Sequence, residues 1–253
     1  SATQLTTAMK KKIFLLLLIL MAPFLQMYGQ NVDSLKVQHK LSYKSFIAPA
    51  ALLITGAFLL NSEINGDIQT KSGRVFGTTF SSGADNIFPF VPIAQIYMGK
   101  SLGFAPKTNY RNQTVNILVA NTASVIVTEI AKRIAKRERP DLSDNLSFPS
   151  GHSAVAFTNA TLLYYEYKDS NFWYASSGFL FAGATAAFRL ANNKHYASDV
   201  LAGAGIGMAS GIIFSHVSPL KSFRVSKKTN TTAFVYPQLG NQIGLGAIIN
   251  PNF

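Results

Sequence analysis

The sequence predicts an all-α fold: a six-helix antiparallel bundle with its functional residues at one pole, followed by a short C-terminal β-hairpin. Three observations lead there. Six apolar stretches, near 46–61, 86–99, 113–135, 152–167, 172–190 and 197–217, alternate with polar or Gly/Pro-rich punctuation. They mix Ala, Gly, Ser and Thr with Leu and Ile, a composition that lets helices approach closely. The polar residues best suited to chemistry fall at the ends of these stretches.

The elements follow in order. Lys10-Lys11-Lys12 and the apolar run Ile13 to Met21 read as the charged and hydrophobic regions of a secretory signal, too short to span a bilayer comfortably. Residues 1–29 are therefore expected to be upstream residues and a signal peptide, and 30–44 an N-terminal linker. The helical domain is expected over 45–218 and a tail over 219–253. In that tail Thr232–Leu239 and Gln242–Ile249 are strand-like runs flanking Gly240-Asn241, a dipeptide suited to a hairpin turn.

Composition narrows the partners. The formal net charge is +12, from 23 basic and 11 acidic residues, which suits an anionic partner. No nucleic-acid-binding motif is present and aromatics are not interleaved with basic runs, so nucleic acid is not expected. Cysteine is absent, which excludes disulfides and thiol chemistry.

Three short runs hold the chemistry: Lys132-x6-Arg139-Pro140, Pro149-Ser150-Gly151-His152 and Arg189-x5-His195-x3-Asp199. Two of the chain's four histidines lie in them. Together they supply permanent cations, two imidazoles, a carboxylate and a Ser-Gly turn. That set can hold a tetrahedral oxyanion while one histidine attacks and another protonates the leaving group. Their placement is consistent with one site. Lys132 and Arg139 lie at or beyond the end of the third helix and would share a face if it continued. Ser150 and Gly151 open the fourth helix, where free N–H groups favour an anion. Arg189 ends the fifth, and His195 and Asp199 begin the sixth. In an antiparallel bundle these ends meet at one pole.

The runs resemble the three-part motif of the type 2 phosphatidic-acid phosphatase family, whose superfamily includes class A bacterial acid phosphatases and vanadium haloperoxidases. The resemblance covers 132–199. It implies that His195 is a nucleophile forming a phosphohistidine, that Asp199 fixes its tautomer, and that His152 is the general acid. It also implies that Lys132, Arg139, Arg189, Ser150 and Gly151 bind the phosphate. One departure is Phe188, where the family usually has Ser; it removes a hydroxyl contact to the phosphate.

The remaining polar residues have blander expectations. Arg133, Lys136 and Arg137 are expected to be solvated or to touch anionic headgroups, and Asp141 and Asp144 to cap a loop. His39 and His216 are expected to be structural or exposed. No cluster has metal-ligand spacing, so no metal and no cofactor are expected; vanadate enters only under the haloperoxidase alternative. A non-catalytic envelope binding protein is the other alternative. The expected partners are a lipid phosphate or diphosphate and a membrane, in a periplasm-facing part of the bacterial envelope. Asn65, Asn116, Asn121 and Glu129, near or within the apolar stretches, argue against every stretch being a span.

Overall fold

A computed structural model describes residues 42–77 and 79–217, and the backbone of 231–238 and 244–251. The expected signal segment, most of the linker and the Gly240-Asn241 turn lie outside the described residues. The chain divides into two compact units between Ser218 and Pro219.

The first unit is helical. After a 3-10 turn at Tyr43–Phe46 come α1 (Ile47–Leu59), α2 (Glu63–Phe76), a four-residue turn of helix α3 (Ala84–Ile87) and α4 (Val91–Met98). Then follow α5 (Tyr110–Ala135), α6 (Gly151–Tyr167), α7 (Phe172–Ala191) and α8 (Ala197–His216). In the second unit β1 (Thr231–Gln238) pairs antiparallel with β2 (Gly244–Pro251), Thr231 opposite Pro251 and Gln238 opposite Gly244.

Seven helices of eight residues or more, rather than six, occur among the described residues, and the reasons are local. Helix α2 is polar and forms no apolar stretch, but it is well started: Ser62 Oγ accepts from Ile64 N at 3.3 Å and Glu63 sits in the first turn. It ends at Gly77, whose φ of 87° suits glycine. The expected helix at 86–99 is broken into α3, a 3-10 turn at Phe88–Phe90 and α4. Pro89 and Pro92 each remove a donor, and each sits in the opening turn of its element. Side-chain caps mark the long helices: Asn109 Oδ1 accepts from Asn112 N for α5, and Asn171 Oδ1 from Tyr174 N for α7.

The centre of the first unit is α6 packed on α8, and their closeness is set by small residues. A Cβ on Gly203 would stand 2.3 Å from Ser150 O, one on Gly207 would stand 2.2 Å from Ala154 O, and one on Gly211 2.6 Å from Thr161 Cβ. These glycines recur every four residues along one face of α8, which brings its backbone against α6. On another face Gly205 meets Pro49 O and Leu53 of α1. Away from this seam, Ile96, Ile117, Leu162, Leu163, Tyr167 and Tyr174 form the main apolar core.

Helix α5 is polar inside and apolar outside. Its buried residues include Gln113, Asn116, Ser124 and Thr128, whereas Leu118, Ile126, Ile130 and Ile134 are exposed. Asn121 likewise turns inward and donates to Asn159 Oδ1 at 2.7 Å. The asparagines that argued against a membrane segment are thus bundle-facing, where polar groups of membrane helices belong. Helices α5 and α8 are long and apolar enough to cross a membrane; so, jointly, are Tyr43–Leu59 and α2, bent by 93° between them. Only 28% of the apolar window of α5 is buried, against 67% for α8. The hydrophobicity of α8 therefore serves the protein core, and that of α5 faces outward. Among the described residues, α5 is thus a helix of spanning length that turns its apolar face outward.

The seam predicts a contrast. Gly207→Ala should destabilise the fold by about 1–3 kcal/mol, because the new methyl meets backbone. Gly183→Ala, with nothing within 4 Å of the added Cβ, should stabilise it by about 0.5–1 kcal/mol. Thermal unfolding in detergent, read by circular dichroism, checks both signs.

Candidate functional site

Lys132 occupies the last turn of α5, and its Nζ bonds Glu129 Oε1 at 3.0 Å. A Cβ on Gly151 would lie 3.6 Å from that nitrogen, so Lys132 reaches the start of α6. The helix stops because Lys136 adopts a left-handed φ of 46°. Arg139 consequently does not share a helical face with Lys132; it rides on the loop leading to α6. Its backbone N–H donates to Asp144 O, and its guanidinium contacts Asp144 Oδ1 at 2.6 Å and Lys194 O at 3.2 Å. Nη1 also lies 3.3 Å from His195 Nε2.

Ser150 is the N-cap of α6. Its Oγ accepts from Ser153 N at 3.4 Å, and its own N–H donates to Asp199 O at 2.9 Å. It is fully buried, so the hydroxyl expected on the phosphate serves first as a cap. Gly151 and His152 follow in the first turn, whose amides have no acceptor within a helix. His152 Nε2 lies 2.9 Å from Asn86 Oδ1.

Arg189, in the last turn of α7, is buried and ion-paired through Nη1 to Asp85 Oδ2 at 2.8 Å. Phe188 beside it turns away, stacking on Phe80 at 6.0 Å and meeting Phe88 edge-on at 5.7 Å. The aromatic side chain thus contributes to packing, where the family's serine would offer a hydroxyl.

His195 precedes α8 and is 1% exposed. Its Nδ1 is 3.6 Å from Asp199 Oδ2, beyond hydrogen-bond range but in contact with the carboxylate, and its Nε2 faces Arg139. Asp199, 0% exposed, is heavily bonded. Oδ1 accepts from Arg137 Nη1 at 3.1 Å and Ser198 Oγ at 3.0 Å; Oδ2 accepts from Ser147 Oγ at 2.5 Å and Tyr196 N at 2.9 Å.

These partners correct one expectation and add residues that the sequence did not single out. Arg137 is not a solvated cation: besides Asp199 it donates to Ser198 Oγ at 2.6 Å and lies 4.3 Å over the Tyr196 ring. Its place two residues before Arg139 was visible, its partners 61 and 62 residues away were not. Nothing local marks Ser147, Ser198, Asp85 or Asn86. Asp141 and Asp144 do cap their loop, through Ser143 N and Leu146 N, and each also pairs with a cation, Lys194 and Arg139 respectively. His216 packs against Tyr165, ring centroids 4.9 Å apart; His39 lies outside the described residues.

Both imidazoles are biased to the neutral form. Burial pushes His152 down to about 4, helped by Arg189, His195 and Lys132 and opposed by Asp85. Burial also lowers His195, with Asp199 pulling the other way and Arg189 and Arg139 adding to the depression. The Arg139 hydrogen bond holds the Asp144 carboxyl below its usual range.

The fold and this pole define a helical domain that gathers cations and two histidines at the ends of its helices. Residues 113–222 match the PAP2 superfamily, and the chain is a member of it. It is 31% identical over 172 residues to the lipid A 1-phosphatase of Porphyromonas gingivalis, covering 67% of this chain and 38% of that protein. It is 25% identical over 142 residues to a PA-phosphatase related-family protein of Dictyostelium discoideum, covering 46% of this chain and 52% of the relative. The chain thus spans only about two fifths to a half of the relatives it matches. The crystal structure of Aquifex aeolicus LpxE aligns with a TM-score of 0.42 and 21% identity, over 56% of this chain and 90% of that one.

The two depressed imidazoles fix a stability trend. Between about 6.5 and about 4, the ordinary and folded values for His152, the unfolded chain binds protons that the folded chain resists. Folded stability should therefore be full above this window and fall as pH drops through it. The thermal midpoint measured across that range should decline on acidification, and His152→Gln should flatten the decline.

Proposed function

We propose that this protein is a metal-independent phosphatase that hydrolyses a lipid-linked phosphate or diphosphate in the bacterial envelope through a phosphohistidine intermediate. The observation that carries this reading is the setting of His195. Its buried ring lies between the Asp199 carboxylate on Nδ1 and the Arg139 guanidinium beside Nε2. A neutral ring with its proton on Nδ1, facing Asp199, leaves a lone pair on Nε2 where a phosphate held by Arg139 would lie.

In the first step Nε2 attacks phosphorus and the bond to the leaving oxygen breaks, while protonated His152 delivers its proton to that oxygen. In the second, water attacks the phosphohistidine, neutral His152 takes the water's proton, and phosphate leaves with His195 restored. Lys132, Arg139, Arg189 and the Gly151 N–H stabilise the equatorial oxygens. Ser147, Arg137 and Ser198 keep Asp199 ionised and oriented. Burial is the main depression of His152, with Arg189 and Lys132 adding to it; a bound phosphate dianion would offset the part due to those cations and favour the protonated acid.

The lipid class rests on two supports: the similarity to a protein named lipid A 1-phosphatase, and the outward apolar face of α5, whose last turn carries Lys132. Phosphatidic acid, phosphatidylglycerol phosphate, undecaprenyl diphosphate and a lipid A phosphate are the candidates. A periplasm-facing site is part of the same proposal.

Phosphate release in detergent from this panel and from p-nitrophenyl phosphate, with EDTA present, tests the reading. The parent protein should turn over a lipid phosphate despite chelation, vanadate should inhibit, and His195→Ala should fall to background. Lys132→Ala and Arg189→Ala should each lose about 10²–10³ in rate. Vanadate-dependent oxidation with peroxide and no phosphate release would instead indicate a haloperoxidase.

A further inference from the structure

All three site cations have a carboxylate partner outside the runs that carry the family resemblance: Glu129 for Lys132, Asp144 for Arg139 and Asp85 for Arg189. The three are not equivalent. The Glu129 and Asp144 side chains are 45% and 43% exposed, whereas that of Asp85 is 2% exposed. Asp85 Oδ2 also accepts from Asn192 Nδ2 at 3.0 Å, and Asn192 clamps both backbone groups of Ser82, accepting from its N–H and donating to its carbonyl. The turn carrying Asp85 is thereby locked to the end of α7. Arg189 is held by Nη1, while its buried Nε has no hydrogen-bond partner among the described residues. A buried, unpartnered guanidinium N–H is costly unless something fills it, and an anion in the site is the natural acceptor. The next residue, Asn86, contacts His152 Nε2 at 2.9 Å.

We propose that Asp85 and Asn86 form a fourth part of this site, as positioning residues: Asp85 anchors Arg189 by one nitrogen and leaves Nε for the substrate anion, and Asn86 sets the orientation and tautomer of the His152 ring. This rests on the phosphatase reading. The groups facing His152 are Arg189 from α7, His195 from the loop before α8, Lys132 from α5 and Asp85 from α3. Asn86 is the neutral contact among them, so changing its charge tunes that ring selectively.

The test uses the full chain in detergent, with two readouts on Asn86→Asp, Asn86→Ala and Asp85→Asn. One is the pH profile of phosphate release; the other is NMR titration of the imidazoles, of which the chain has only four. A carboxylate at 86 should raise the His152 midpoint by about one unit or more and move the acid-dependent limb of activity in parallel, whereas Asn86→Ala should lower turnover without that upward shift. Asp85→Asn should reduce kcat about tenfold or more while inhibition by inorganic phosphate stays equal or tightens, since a negative charge is lost but Arg189 is no longer anchored. An unchanged His152 midpoint and activity limb in Asn86→Asp, or a parental kcat in Asp85→Asn, in folded variants would overturn the proposal. If the parent released no phosphate, the phosphatase reading alone would fail; the NMR midpoint of Asn86→Asp would still uphold or overturn the contact with His152.

Discussion

A single buried carboxylate organises this pole. Removing Asp199 from water costs several kcal/mol unless its oxygens are filled, and the fold supplies Arg137, Ser147, Ser198 and the Tyr196 N–H to fill them. Each donor belongs to a different stretch of the loop after α5 or to the start of α8. The backbone carbonyl of Asp199 also takes the N–H of Ser150, the cap of α6. Satisfying one charge therefore ties together the loop that carries Arg139, the helix start that carries Gly151 and His152, and the turn that carries His195. A second layer follows, where Asn65 of α2 exchanges hydrogen bonds with both the hydroxyl and the N–H of Ser198.

The same constraint accounts for the packing below. The Ser150–Asp199 contact requires the first turns of α6 and α8 to come within backbone hydrogen-bond distance, and side chains at 203, 207 or 211 would force them apart. Glycine on that face is the condition for the polar pole to close. The apolar balance is struck elsewhere, on the outward face of α5. A helix with Gln113, Asn116, Ser124 and Thr128 inward and Ile126, Ile130 and Ile134 outward is poorly suited to water. It is well suited to lipid, where interior polar groups hold helices together.

The long helices were legible because their signals are local. Apolar stretches mark α1 and α5 to α8 to within a few residues. The polar α2 escaped because it is held by polar contacts, Asn65 to Ser198 and Gln69 to Leu190 O and Asn193, and such a helix leaves no hydrophobic stripe. The broken 86–99 stretch carried its own warning in Pro89 and Pro92. In the site, the spacing of Lys132, Arg139, Gly151, His152, Arg189, His195 and Asp199 was readable because each sits at or near a helix end. Whether the third helix continued past Ala135 to Arg139 was left open by the sequence; a left-handed residue at 136 has no clear signature in a lysine.

The sequence by itself determined the helical class, the long helix boundaries, the chemical inventory and its gathering at helix ends, since these depend on residue types a few positions apart. Tertiary structure alone decided how the inventory is wired. Asp85 meets Arg189 across 104 residues, Asn86 meets His152 across 66, and Arg137 meets Asp199 across 62. Such contacts exist only once distant segments are folded together, and they form because a buried charge or imidazole takes whatever partner the packed chain brings within reach.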